Sequence, residues 1–330
     1  MNCVYCESEL TVRNGKNRAG GKSVQRYLCK ECGRRFNERS GTPMAKLKTP
    51  VATITLAMKA RSEGLGLRAT GRILGVAANS VVNWEKHLSA AISNWSPPAP
   101  AEKEITIEGD EVYTRIGENL PPRRSEGWTI HFIERETRYW IEAQAGLKNA
   151  QLFKNGVTSA WNWARSSESI RWFTDGERRY GKELWKLASV RLKSSEMPLT
   201  YQYRKVWREG VEVAIKVKGS QGKPHIEWLK QEHPFTPISP KSDVHANHNE
   251  AQNSSLRRRA SGYRRRQNLY AKAVEGLNRA LNMQRMIHNW VRPHWGLGKM
   301  ETPAMAMGYI NRPITMLELL STRSFKCVTP

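Results

Sequence analysis

Three acidic residues and four cysteines carry most of the chemistry open to this 330-residue chain. Asp110 lies within Glu104-Ile-Thr-Ile-Glu-Gly-Asp110-Glu-Val-Tyr113, and Asp175 ends the apolar run Ser169-Ile-Arg-Trp-Phe-Thr-Asp175-Gly176. Glu250 opens the most basic stretch of the chain, which continues through Arg257, Arg258 and Arg259 to Arg264, Arg265 and Arg266. Arginines in such number grip a polyanion. A carboxylate among them suits a divalent metal ion, held against the phosphate that the arginines attract. Taken singly, each acid has an ordinary explanation. Glu250 gains ~0.3–1 kcal/mol at a helix N-terminus, Asp175-Gly176 makes a turn, and Asp110 is a solvent-facing strand residue with Glu108 or Glu111 as its equal. Their order along the chain, beside the arginine helix, favours a shared metal site. His245 and His248 with Glu250 form a weaker alternative set, because Mg²⁺ prefers oxygen ligands. His248 is better suited to orienting the metal site or touching DNA.

Cys3-Val-Tyr-Cys6 and Cys29-Lys-Glu-Cys32 are two C-x-x-C pairs separated by one loop. Four thiolates satisfy tetrahedral zinc and leave no open position for water, so such a site is structural. Gly33 permits the backbone reversal with positive φ that such a knuckle needs. Gln25–Leu28 reads as a ribbon strand. A segment this short has no core of its own, so zinc would supply most of its stability, on the order of 10–16 kcal/mol. The ribbon would present Arg13, Lys16, Arg18, Lys22, Arg26, Arg34, Arg35 and Arg39 to DNA. Gly21-Lys22-Ser23 fails as a phosphate-binding loop, since Lys16 stands where its first glycine belongs. Cys327 has no partner in this pattern.

A formal net charge of +24 implies a polyanionic partner, nucleic acid before an acidic membrane surface. No apolar run approaches a bilayer span and no signal-peptide pattern opens the chain, so a cytoplasmic, nucleoid-associated bacterial protein is expected. Reduced thiols suit metal ligation better than disulfides.

The elements that must position these groups follow from periodicity. Helices are expected at Thr53–Arg61 and at Leu67–Leu74, the latter with Leu67, Ile73 and Leu74 inward. Gly75-Val-Ala77 turns the chain, and Asn79-Ser80 caps a third helix through Val81, Val82, Trp84 and Leu88. Two short helices around such a turn make a DNA reader, with Asn79, Ser80, Asn83 and Lys86 on the reading helix. Pro97-Pro-Ala-Pro100 marks a linker. Strands follow at Glu104–Tyr113, Trp128–Ile133 and Arg138–Ala143, then an amphipathic helix at Asn149–Arg165, the strand ending in Asp175, and a helix from Tyr180 to Leu187. Residues 191–243 are the least legible, with Val211–Val217 as a last strand. The expected domains are a zinc ribbon (1–45), a small all-α helix-turn-helix (50–95), a linker (96–103), an α/β mixed-sheet domain with a helical C-terminal part (104–310), and a tail (311–330).

Together these features resemble the insertion-sequence-one family of bacterial transposases, with a DDE triad in a ribonuclease H-like fold. The resemblance rests on the cysteine ribbon, Gly109-Asp-Glu-Val112, Phe173-Thr-Asp-Gly176, Val244 to Arg259, His288-Asn-Trp-Val-Arg-Pro-His294 and Thr302-Pro-Ala304. It implies Asp110, Asp175 and Glu250 as catalytic ligands of two Mg²⁺ ions, with Mn²⁺ able to substitute. It also implies double-stranded DNA as partner, both terminal inverted repeats and target, and at least a dimer on it. Arg34 and Arg35 of the ribbon, His248, and Arg257, Arg258, Arg259, Arg264, Arg265 and Arg266 would hold the backbone rather than read bases. In the family's type members the ribbon and helix-turn-helix can be a separate product joined by frameshifting; here they are fused. Two alternatives stay open: a non-catalytic DNA-binding regulator derived from a transposase, and a metal-dependent nuclease.

Overall fold

In the computed structural model, the described residues are 1–19, 22–118, 120–193, 203–218, 224–228, 233–265, 268 and 270–328; Arg266 lies outside them, as do the side chains of Arg18 and Lys22. The N-terminal module is an antiparallel three-stranded sheet in the order β1 (Thr11–Ala19), β2 (Lys22–Cys29), β3 (Arg35–Phe36). Among the described residues its apolar core holds Cys3, Cys29 and Phe36, with Val4 and Tyr27 beside them.

Three helices follow: α1 (Val51–Ser62), α2 (Leu67–Leu74) and α3 (Ala78–Ala90). Gly75 turns the chain after α2 at φ +65°, where a side chain would be strained. Two sequence expectations change here. The cap of α3 is Ala77, and Asn79 and Ser80 sit inside its first turn. Ile73 is 70% exposed rather than inward; the buried positions of α2 are Thr70 and Gly71.

The larger unit is a six-stranded mixed sheet built from β4 (Ile105–Tyr113), β5 (Trp128–Glu134), β6 (Trp140–Gly146), β7 (Ile170–Asp175), β10 (Val211–Lys218) and β11 (Pro224–Trp228). Its order is β11-β10-β7-β4-β5-β6. β4, β5 and β6 form an antiparallel meander, β4 pairs parallel with β7 and β7 parallel with β10, and β11 closes the edge antiparallel. β10, expected as the last strand, is therefore one strand in from the edge. β8 (Ser189–Lys193) and β9 (Tyr203–Trp207) pair separately as a hairpin.

Alternation along β4 divides its side chains between two layers, because successive residues leave opposite faces of a strand. Ile105 and Ile107 join the core under α4 (Ala150–Ala164) and α5 (Arg179–Ala188). Asn149 caps α4, accepting from the Leu152 N–H at 3.0 Å. Val112 joins a second core on the opposite face, beneath α6 (Asn247–Arg259) and α7 (Val274–Trp290).

The β6 edge is closed by α7. Asn289 accepts the Trp140 N–H at 2.8 Å and donates to the Trp140 carbonyl at 3.0 Å, and Asn278 does the same for Ala145 at 2.7 and 3.2 Å. Asn278 to Asn289 is about 16 Å along a helix, and Trp140 to Ala145 is about 16 Å along a strand. The two carboxamides therefore reach matching backbone groups and stand in for a further strand, satisfying an edge that would otherwise invite pairing.

α7 also joins the two halves of the chain. Met283, Met286, Ile287 and Trp290 share one core with Ile54, Met58, Val81, Trp84 and Trp95. The buried Arg61–Glu85 ion pair extends to Arg279 at 3.1 Å. The final short helices, α8 (Pro303–Ala306) and α9 (Met316–Ser321), complete that core with Ala304, Ile314, Met316, Leu319 and Leu320. Residues 311–330, expected as a tail, thus contribute buried apolar side chains. The linker is docked as well: the Ala99 N–H donates to the Trp163 carbonyl at 2.8 Å, and Lys103 donates to the Ala306 carbonyl at 2.6 Å. No helix among the described residues is long and apolar enough to cross a membrane.

Candidate functional site

Parallel pairing of β4 with β7 places Gly109 opposite Thr174, so the next residues, Asp110 and Asp175, come together where that pairing ends. Their carboxylate oxygens, with one of Glu111, lie within 4.8 Å of one another. Burial, the charge of Asp175 and that of Glu250 raise the Asp110 pKa to about 6, against hydrogen bonds from Glu111 N–H and Asn253. Burial and Asp175 likewise raise Glu111 to about 7, although Lys148 sits 2.9 Å from its carboxylate. Three crowded carboxylates suppress one another's ionisation, which is the electrostatic shortage a divalent cation would relieve.

Glu250 stays outside this close set. It is exposed in the first turn of α6, where its charge still reaches Asp110. It makes no ion pair among the described residues. Asn253 and Arg257 follow it at helical spacing, on the same face. Asn253 Nδ2 donates to Asp110 Oδ2 at 2.7 Å, and the Arg257 guanidinium is drawn by the Asp110 charge. Behind Asn253 stands His131, fully buried, with Nε2 3.0 Å from Asn253 Oδ1. Burial lowers the His131 pKa to about 4, keeping the ring neutral. Because Asn253 spends its amide N–H on Asp110, its oxygen accepts, and His131 carries the proton on Nε2.

What fixes α6 over β4 is Glu108, fully buried and on the same strand face as Asp110. Its Oε1 accepts Arg135 Nε and His248 Nδ1, each at 2.8 Å. Its Oε2 accepts the backbone N–H of His248 at 2.9 Å and of Asn249 at 3.3 Å. The cap residue Ala246 has no capping side chain, so a strand carboxylate satisfies the orphan donors of the helix. Arg135 also donates to the carbonyls of Asp243 and His245, both at 2.8 Å, and so pins the turn into α6. Burial works to raise the Glu108 pKa, but His248 and Arg135 outweigh it and leave the group below the usual carboxylate range. Glu108, His245 and His248 cluster closely enough to suggest a metal site. The carboxylate, however, is already saturated by donors, one of them a guanidinium that would repel a cation.

The sequence singled out Asp110, Asp175 and Glu250; Glu111 and Glu108 it treated only as equals of Asp110. Alternation alone separates them, Glu108 and Asp110 facing α6 and Glu111 facing Lys148 and Tyr180. Asn253, with His131 behind it, went unnoticed; its signal was its place three residues beyond Glu250.

The remaining residues expected at a nucleic-acid surface are spread over the molecule. Arg34 and Arg35 are exposed on the ribbon, Arg34 stacked 5.1 Å over Tyr5. Asn79, Asn83 and Lys86 are exposed on α3, and Ser80 is half-buried. His248 turns its ring toward Glu108. Arg258 and Arg265 are exposed, while Arg257, Arg259 and Arg264 are half-buried, Arg264 near the Arg258 carbonyl at 3.3 Å.

In the ribbon, Cys3 Sγ lies 3.6 Å from Cys32 Sγ, and Cys6 Sγ 3.6 Å from Cys29 Sγ. The four ligand atoms fall within 4.8 Å of one another. These separations suit a tetrahedron of Zn–S bonds of about 2.3 Å. Gly33 has φ +68° and Glu7, after the first pair, φ +60°. The cysteines could hold zinc, and the carboxylates could hold Mg²⁺.

No protein-family model matches the chain. Over 192 residues it is 26% identical to an uncharacterized protein in transposable element ISH50 of Halobacterium salinarum, a match covering 54% of this chain and 63% of that protein. The chain therefore spans less than two thirds of that relative, and its distant kinship is with a protein of a mobile element.

Proposed function

We propose that this chain is a DDE-type DNA transposase, which binds the terminal inverted repeats of its element, cleaves the 3′ ends and joins them to target DNA. The observation that carries the reading is the meeting of Asp110 and Asp175 on adjacent parallel strands, beneath the α6 face that bears Glu250, Asn253 and Arg257. The order β6-β5-β4-β7-β10, with an antiparallel meander followed by two parallel strands, supports a ribonuclease H-like fold for residues 104–310. α2 and α3, joined through Gly75, support a helix-turn-helix, with Asn79, Asn83 and Lys86 facing outward for DNA. The kinship with a mobile-element protein points the same way.

Asp110, Asp175 and Glu250 would hold Mg²⁺, which when bound activates the attacking oxygen and steadies the leaving one. Glu250 is the better third ligand, since it shares the face of Asp110, whereas Glu111 is ion-paired with Lys148. Asn253 fixes the Asp110 carboxylate, and neutral His131 fixes Asn253. Arg257 sets positive charge beside Asp110, where a phosphate would dock. Water first opens the phosphodiester and frees a 3′-hydroxyl. That hydroxyl then attacks a target phosphorus, and the target strand's own 3′ oxygen leaves. The ribbon, holding zinc on its four cysteines, and the arginines of α6 would grip DNA backbone, with two chains pairing two ends.

The test is a joining reaction with purified protein, Mg²⁺, a pre-cleaved end duplex from the repeats flanking its gene, and a plasmid target. Joined product that disappears in Asp175→Asn supports the proposal. Hydrolysis without joining would replace it with a nuclease. Firm binding with neither nicking nor joining, in Mg²⁺ or Mn²⁺, would replace it with a regulator.

A further inference from the structure

Trp295 is the most exposed large hydrophobic side chain among the described residues, at 89%. It stands on the loop that follows α7, and Met300 on the same loop is 60% exposed. The loop itself is tied down. The His294 N–H donates to the Glu301 carbonyl at 2.8 Å, and the Leu297 N–H to the His294 carbonyl at 2.9 Å. The His294 ring lies against α7, with Nε2 3.3 Å from the His288 carbonyl, and Leu297 is half-buried. Met300 holds φ +65°, a conformation that strains a side chain and that the surrounding bonds must impose. Among the described residues no ring and no cation lies against the Trp295 indole. A fixed backbone thus holds a large apolar ring in water, where its surface gains nothing from burial.

The loop lies where the α1–α3 unit meets α6. Arg292, near its start, donates to the Ser62 carbonyl at 3.2 Å and pairs with Glu63 at 2.5 Å, both at the end of α1. Gln284 of α7 donates to the Ser62 carbonyl at 3.3 Å and to the Arg259 carbonyl at 2.9 Å, joining the ends of α1 and α6. The charge around the loop is positive. Burial takes the His294 pKa down to about 4, and Arg292, Arg259 and Arg138 press the same way. Lys299 is exposed on the loop itself, as is Arg258 at the end of α6. Two acids stand nearby: Glu63 is paired with Arg292, and Glu301 folds its carboxylate onto Gly298. Arg259 is nine residues past Glu250, about 14 Å along α6, or about four stacked nucleotides.

We infer that Trp295, with Met300 on the same loop, is a wedge that enters the end duplex between the bases facing α3 and the phosphate held at Asp110 and Asp175, unstacking one base step. Proteins that kink DNA insert apolar side chains between base steps while arginines and lysines hold the strands, and an aromatic ring stacks on any base. The surroundings favour DNA over a second copy of the chain. A protein interface is depleted of charge at its core, whereas this ring stands among guanidinium groups. The inference rests on the end-binding and strand-joining function proposed above.

Permanganate oxidises thymines that have lost a stacking neighbour. The experiment moves one thymine along about ten terminal base pairs of the end duplex, one helical turn, and measures its permanganate reactivity with the full chain bound in Ca²⁺. One step should become severalfold more reactive than in free DNA. Trp295→Ala should return it to the free level, and Trp295→Phe should keep it reactive. Joining by Trp295→Ala should fall about tenfold on a paired end and recover on an end mismatched at the reactive step, a rescue that a damaged fold could not show. So exposed a side chain leaves the core untouched when truncated, and thermal unfolding checks this. No reactive step, or one that Trp295→Ala leaves unchanged, would overturn the wedge. Lost joining that no mismatch rescues, with a smaller sedimenting assembly, would overturn it in favour of a second copy docking on the ring. A wild-type chain that opens one step but joins no end would retain the wedge and remove the transposase reading instead.

Discussion

Glu108 and Asp110 leave the same face of β4 two residues apart, yet the protein treats them oppositely. Glu108 is surrounded by Arg135, His248 and two backbone N–H groups, and its pKa falls. Asp110 is desolvated by burial and crowded by Asp175 and Glu250, and its pKa rises to about 6. A buried carboxylate with every lone pair satisfied is a structural part, whereas one short of positive charge is a place where a cation would be stabilised. The first anchors α6, and the second is what the anchored helix faces.

The largest effects should separate the two. Asp110→Asn removes a charge that the metal-free fold disfavours, so thermal stability should hold or rise while strand joining drops on the order of 10³-fold or more. Glu250→Gln should lose joining as fully and keep end binding. Glu111→Gln should stay within about tenfold of wild type, because Lys148 already commits that carboxylate. Equal losses for Glu111→Gln and Glu250→Gln, measured side by side, would mean that Glu111 is a ligand in its own right.

Glu108→Ala should show the reverse pattern. It strands the Arg135 guanidinium and uncaps α6, costing about 3–5 kcal/mol as for a broken buried ion pair. Chemical denaturation measures the loss. Unchanged stability would mean that the bonds around Glu108 contribute nothing to docking the helix.

Sequence patterning announced much of this arrangement and missed its supports for identifiable reasons. Alternation of apolar and polar residues marks β4, a short apolar run closed by Asp175 marks β7, and a helix over 149–165 forms as Ala150–Ala164 because Asn149 caps it. Tertiary partners were another matter. Glu108 caps a helix far away in sequence, and nothing near Ala246 signals that. Asn278 and Asn289 close a sheet edge that only the folded strand order creates. Ile73 was assigned inward by helical spacing, yet the neighbours of α2 bury Thr70 and Gly71 instead. Local pattern encodes the elements; long-range hydrogen bonds decide which acid is structural.

The same contrast appears against pH. Asp110 and Glu111 are raised to about 6 and about 7, so in metal-free protein their stabilising contribution is complete below the ordinary carboxylate range and is lost as pH rises through 6 to 7. Glu108 is lowered, so its contribution is complete above that range and fades only as pH falls through its depressed value. Melting curves from pH 5 to 8 in chelator should therefore decline toward pH 8, and Mg²⁺ should flatten the decline. Asp110→Asn should weaken that slope, while Glu108→Gln should leave it in place. A slope insensitive to both Mg²⁺ and Asp110→Asn would place its origin outside this site.

The smallest effect lies in the ribbon, whose two knuckles offer a comparison of their own. Gly33 follows the second cysteine pair at φ +68°, and Glu7 follows the first at φ +60°. Each donates its N–H to the carbonyl of its first cysteine, Gly33 to Cys29 at 3.1 Å and Glu7 to Cys3 at 2.9 Å. The geometry is the same, but only one residue is free of the left-handed penalty of about 1–2 kcal/mol. Glu7→Gly removes that penalty, offset by the greater freedom of glycine in the unfolded chain, for a net gain of about 0.5–1 kcal/mol. Gly33→Ala should cost about as much. With so small a core, ribbon folding and zinc binding are one equilibrium, so both changes should appear in competition with a chelator as a few-fold shift in zinc affinity, in opposite directions. Shifts in the same direction would mean that the Glu7 side chain contributes something its backbone strain conceals.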